Sequence, residues 1–141
     1  MSAIHETYPA DFPVPTSSRG QVITGRILTG LAVLFLLFDV IGKLTRPEAV
    51  IKGTTELGYP ASVILPLGIL QAILLILYLI PRTSILGALL WTGYLGGAVA
   101  THVRVGNPLF SHILFPVYVA LLIWGGLWLR DRRVRAVLPF A

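Results

Sequence analysis

Residues 60–80 read PASVILPLGILQAILLILYLI, an apolar run opened by Pro60 and followed at once by Pro81. A helix rises 1.5 Å per residue, so about 20 apolar residues cross the roughly 30 Å hydrocarbon core of a bilayer. Three further runs have that length, at residues 22–41, 84–103 and 109–129. Mean hydropathy is +0.83, and charged residues make up 12% of the chain where soluble domains average about 25%. The expected fold is therefore all-α: a polytopic membrane four-helix bundle over residues 21–141, behind a flexible cytoplasmic tail over residues 1–20. The tail has Pro9, Pro13 and Pro15 but no apolar core of a secretory signal, so span one is expected to act as an uncleaved signal-anchor.

Composition closes several functional classes. Four spans and their connections leave no room for a separate soluble catalytic domain among 141 residues. There is no cysteine, which excludes thiol–disulfide exchange and thiolate ligation of metal or iron–sulfur clusters by this chain. The net charge of +5 gathers at span ends, where basic residues orient membrane proteins, so nucleic acid is not an expected partner. No GxGxxG, P-loop, HExxH helix or nucleophile elbow occurs. Arg19, Arg26, Arg82, Arg130, Arg132, Arg133 and Arg135 fall on one side of a four-span topology, against Lys43, Arg46, Lys52 and Arg104 on the other. That bias places both termini in the cytoplasm.

Between spans one and two, Thr45 and Glu48 have capping-box spacing, with Pro47 in the first turn. Val50, Ile51, Thr54 and Leu57 then share a face, and Gly58 is placed to end the helix. This pattern predicts a short interfacial helix, or a lid over the bundle mouth. Pro66, if inside the membrane, permits a kink in span two, and Thr83 or Ser84 is the expected N-cap for span three. Gly93 and Gly97 form a GxxxG pair suited to close packing against another helix, in this chain or in a second copy. Pro116 lies about two turns into span four, and Trp124 and Trp128 approach the Arg130-Asp-Arg-Arg133 boundary.

One constellation could carry function. Asp39, Lys43, His102, Arg104 and His112 all fall at the outer end of the bundle, with Gln71 and Tyr94 near the midplane. Asp39 is expected to be held ionised by Lys43 or Arg104, because an unpaired charge at this depth costs at least ~2–3 kcal/mol. Tyr94, Ala98, Thr101 and His102 share one helical face and could form a polar track to the mouth. The functional reading is an outer-facing polar pocket for a small amphipathic molecule, with a quinone as one candidate. The alternative is a hydrogen-bond network that only locks the helix ends. His102, His112 and Asp39 as a metal set, or the two histidines as axial haem ligands, lack diagnostic spacing.

Three stretches carry a resemblance: ELGYP at 56–60, ATHVRVGNP at 100–108, and LFP at 114–116 with Trp124 and RDR at 130–132. Together they resemble the DoxX-like family of small four-span membrane proteins, over about Arg26 to Pro139. His102, Arg104, Gly106, Asn107 and Pro108 match its most specific motif. The resemblance implies a bacterial cytoplasmic membrane and a link to quinone-coupled redox complexes, as a membrane subunit whose redox centre belongs to a partner. Thiol-dependent roles do not transfer to a cysteine-free chain. The expected function is accessory rather than independently catalytic, in contact with the lipid bilayer and with a homo-oligomer or redox subunit as candidate partners. A structural scaffold is the remaining alternative.

Overall fold

The computed structural model describes residues 16–138, so most of the expected tail, with His5, lies outside the described residues. Six α-helices follow in order: α1 (Arg19–Thr45), α2 (Glu48–Glu56), α3 (Ile64–Leu79), α4 (Ser84–Arg104), α5 (Phe115–Arg130) and α6 (Arg132–Val137). A 3₁₀ turn (Ala61–Val63) extends α3, and a π-helical turn (Leu109–Ile113) precedes α5. With those extensions, four segments are long and apolar enough to cross a membrane. No strand occurs among the described residues.

The four long helices close a ring in which α1 and α4 each pack against both α3 and α5. Its axis is filled by Leu36, Tyr78, Trp91, Ile123 and Leu127, each at most 1% exposed. Large apolar side chains such as Leu34, Phe38, Leu89 and Leu121 point outward. In water this would be an aggregating surface; in a bilayer it is the face presented to acyl chains.

Helix ends follow local chemistry. Ser18 accepts from the Gln21 N–H while the Gln21 side chain accepts from the Ser18 N–H, so α1 starts with a capping box at Arg19, inside the expected tail. The box expected at Thr45 does not form. Thr45 Oγ1 donates instead to the Ile41 carbonyl, Arg46 turns left-handed at φ 51°, and Pro47 takes the N-cap position of α2. Pro66 falls in the first turn of α3, directly after the 3₁₀ turn, where its missing N–H costs the helix least. Pro116 likewise stands at the start of α5 rather than inside it, because the π-helical turn ends the preceding segment. Thr83 occupies the N-cap position of α4 but its hydroxyl donates back to Leu77 O at 2.8 Å.

Close helix contacts rest on glycines outside the GxxxG pair. A Cβ on Gly25 would lie 2.9 Å from Leu129 Cβ, and one on Gly126 would strike Thr29, so α1 and α5 cross on bare backbone. A Cβ on Gly87 would meet the backbone of Tyr78 in the α3–α4 hairpin. Gly93 and Gly97, by contrast, have nothing within 4 Å of that position, which corrects the expectation of close packing within the chain. Gly87→Val and Gly126→Val should therefore each destabilise by about 1–3 kcal/mol, the usual range for overpacking, while Gly93→Val leaves the detergent-solubilised melting midpoint nearly unchanged.

The end holding residues 16 and 138 is tied by arginines. Arg133 donates to the Pro81 carbonyl at 2.7 Å and to Asp131 Oδ2 at 2.8 Å, and Arg130 Nε donates to Thr29 Oγ1 at 3.1 Å. Arg135, largely buried, donates to Ser17 Oγ. Asp131 also caps α6 by accepting from the Arg133 N–H at 2.9 Å. The hydrogen bonds from the Arg133 side chain, which outweigh burial, hold its carboxyl below the ordinary range, and the pair raises the Arg133 guanidinium in turn. A depressed carboxylate stabilises fully above its unfolded value of about 3.9 and loses that contribution as pH falls through the folded value. Melting midpoints of the parent and Asp131→Asn should converge below about pH 4 and separate above it, with the parent higher.

Candidate functional site

Asp39, part-buried, stands on the last third of α1. Each of its oxygens has one donor: Lys43 Nζ reaches Oδ1 at 2.5 Å, and Gln71 Nε2 from α3 reaches Oδ2 at 2.6 Å. Lys43 lies one turn along the same helix and Gln71 faces it across the α1–α3 contact. The pairing thus spares the carboxylate the cost of lying unpartnered in apolar surroundings. Of the two cations expected near Asp39, Lys43 makes the contact and Arg104 lies elsewhere, on the Leu57 carbonyl. Gln71 is fully buried, and its Oε1 has no hydrogen-bond partner among the described residues; neither has the indole Nε1 of buried Trp91.

These residues stand on the wall of a cavity of about 560 Å³ in the half of the bundle away from residues 16 and 138. Phe35, Leu36, Leu95, Phe115 and Val119 form its apolar side. Tyr94 lies on the same wall, edge-on to Trp91 with centroids 5.5 Å apart, and has Gln71 and Asp39 as electrostatic neighbours. Val50, Gly53, Thr54 and Leu57 of α2 form the roof. Gly53 takes the place that the expected face gave to Ile51, which does not line the cavity.

The roof is held by two helix ends of one design. At the end of α2, Gly58 (φ 84°) donates to Thr55 O and Tyr59 N–H to Thr54 O. At the end of α4, Gly106 (φ 71°) donates to Val103 O and Asn107 N–H to His102 O. Both are Schellman closures, which need a left-handed residue at the glycine, and each is followed by proline. They are also joined. Arg104 Nη2 donates to Leu57 O at 2.5 Å with its guanidinium 5.9 Å from the Tyr59 ring centre, and the Tyr59 and Thr101 hydroxyls share a hydrogen bond of 2.9 Å. A Cβ on Gly58 would lie 3.1 Å from Arg104 Nη2, so this glycine also makes space for the latch.

Arg104 is therefore a latch and not part of the cavity wall. His102 is on the wall, its Nδ1 accepting from Asn107 Nδ2 at 2.7 Å, which leaves the ring proton on Nε2. His112 is exposed beside the hairpin turn, outside the cavity, with Ser111 Oγ 2.8 Å from its Nδ1. The two imidazoles meet edge to face with centroids 5.7 Å apart, leaving no slot between them for a haem. Among the described residues no three histidine, aspartate or glutamate side chains converge to hold a metal, so His102, His112 and Asp39 do not assemble as a metal set. Sequence reasoning missed Trp91 and Tyr59. The aromatic at 59, between a helix-stopping glycine and a proline, was the available signal for the latch.

Removing the latch should loosen α2 before anything else. Arg104→Gln and Tyr59→Phe should each speed amide exchange across α2 several-fold in hydrogen–deuterium exchange, while α1, α3 and α5 keep parental protection.

The sequence matches the DoxX-like family model over residues 27–126, a range that holds both Schellman closures and the whole cavity wall. No curated protein and no solved structure matches it. With four apolar segments fit to span a bilayer and a family match over most of its length, the chain is an integral membrane protein and belongs to the DoxX-like family.

Proposed function

We propose that this protein binds a small amphipathic molecule in the cavity beneath α2. Binding sites for small molecules commonly enclose about 300–1,000 Å³ of mostly apolar wall with a few polar groups that fix orientation. The observation that carries the reading is the combination present here. A cavity of about 560 Å³ has one apolar side and one polar knot of Asp39, Lys43 and Gln71, with the Gln71 Oε1 and Trp91 Nε1 atoms lacking partners. A buried polar atom without a partner costs about 1–3 kcal/mol, and a head group that moved in beside these two side chains would recover part of it. The phenyl rings of Phe35 and Phe115 suit a flat or branched apolar body, and a membrane quinone is one molecule of that shape and polarity. The role assigned to the protein is to hold such a molecule, as an accessory to another protein's chemistry, rather than to transform it.

The closest competitor is a network that only fastens helix ends. The latch of Arg104 and Tyr59 does that without needing a cavity, whereas the knot at Asp39 lies on the cavity wall. Purification in mild detergent, followed by organic extraction and mass spectrometry, should return one amphipathic species in near-stoichiometric amount. A charge-neutral Asp39→Asn/Lys43→Gln double variant and Gln71→Leu should keep the fold and lower that recovery roughly tenfold or more, the scale of a lost hydrogen bond to a charged group. Folded parent protein that yields only bulk lipid would overturn the reading.

A further inference from the structure

We infer that the cavity is loaded sideways from the bilayer, through the seam between α3 and α4 past Gly93 and Gly97. Its ligand is then a molecule dissolved in the membrane, not a solute of the outer aqueous phase. The inference rests on the binding reading above and adds the route and the ligand class.

The cavity's other boundaries carry packing contacts. Above, α2 is latched through Arg104 and Tyr59. Between α1 and α3, Asp39 bonds Gln71, and a Cβ on Gly68 would lie only 2.9 Å from Lys43 Cβ. Between α1 and α5, Phe35 and Phe115 meet edge to face at 5.0 Å. Between α4 and α5, buried Leu95 and Val119 stand on the wall, and a smaller cavity of about 150 Å³ lined by Thr92, Leu95, Gly96 and Val117 adjoins them.

The remaining seam is different. Its inner half is shut where Gly87 lies on the Tyr78 backbone, and its outer limit is the hydrogen bond between Tyr59 and Thr101. Gly87 and Thr101 are 14 residues apart on α4, about 21 Å along the axis. Midway between them stand Gly93 and Gly97, exposed, on the cavity wall, and without any neighbour within 4 Å of a would-be side chain. Thr92 and Gly96 border α5; one residue on, Gly93 and Gly97 are turned about 100° further round the helix, away from it. Fully buried Gln71, with its unpartnered Oε1, stands on α3 across this opening. The seam therefore has a frame, two glycines with open space at the Cβ position, and a polar group behind it.

The test uses full-length protein in phosphatidylcholine vesicles, with Trp124→Phe and Trp128→Phe leaving Trp91 as the reporter behind the seam. The lipid-soluble quencher 10-doxylnonadecane should quench Trp91 strongly and water-borne acrylamide weakly. Gly93→Leu/Gly97→Leu should lower the lipid-side quenching constant several-fold, and Gly96→Leu, on the α5 flank, should not. If the leucine pair does not assemble, Gly97→Cys in this cysteine-free chain can be modified after reconstitution with benzyl methanethiosulfonate, and must give the same loss. Quenching by doxylnonadecane that ignores both modifications, or acrylamide quenching as strong as the lipid-side value, overturns the route. A molecule recovered by extraction alongside seam-independent quenching keeps the binding reading and removes the route. Seam-dependent quenching without a recovered molecule does the reverse.

Discussion

Backbone carbonyls at a helix end have no partner within the helix, and hydrocarbon offers them no water. That constraint governs the half of this protein that holds the cavity. The α2 and α4 ends both solve it with a left-handed glycine that brings its own N–H and the one after it back onto the last turn. One carbonyl beyond that closure, Leu57 O, is taken by Arg104 from the other motif. Two local solutions to one solvation problem thus become a tertiary contact, and that contact fixes α2 over the cavity. The two sequence stretches that carry the family resemblance most clearly are the stretches that make it.

The same solvent explains how glycine and charge are distributed. Where helices must cross closely, at Gly25 with Gly126 and at Gly87 with Tyr78, the missing side chain is filled by a neighbour's backbone. Where glycine faces nothing, at Gly93 and Gly97, it leaves a gap in the wall. Charge shows a similar division. Arginines at the end holding residues 16 and 138 bind carbonyls, hydroxyls and Asp131, whereas Asp39 and Lys43 satisfy each other beside Gln71. A single acid within a membrane-spanning helix is tolerable because both its oxygens are occupied.

Most of the architecture was legible because apolar length is a one-dimensional property. Four runs near 20 residues announce four spans, whatever their neighbours are. The short helix was legible too, since Gly58 and the amphipathic pattern before it are local. What could not be read were the rotations of elements about their own axes. Arg46 adopts a left-handed turn that sequence around a proline does not advertise, and this sets which α2 residues face down: Gly53, not Ile51. Arg104 was expected near Asp39 because both fall at the outer end, but its guanidinium is drawn to a carbonyl on a segment 47 residues away in sequence. Asp39, Lys43, Gln71, Tyr94 and His102 share a wall because helical periodicity sets their faces, whereas His112 does not, because the segment carrying it is not α-helical.

That segment, the π-helical turn at Leu109–Ile113, bonds Leu114 N–H to Leu109 O at 2.9 Å before Pro116 begins α5. A π turn holds about one residue more than an α turn, and proline downstream has no N–H to transmit the register onward. The hairpin tip is thereby uncoupled from the phase of the bundle below. Relatives that lose or gain one residue between Pro108 and Pro116 could swing the tip's side chains by about 100° while leaving Val119, Ile123 and Leu127 seated. The tip then works like a vernier on a fixed scale, a place where new surface chemistry can be tried by single-residue length change at little expense to the core.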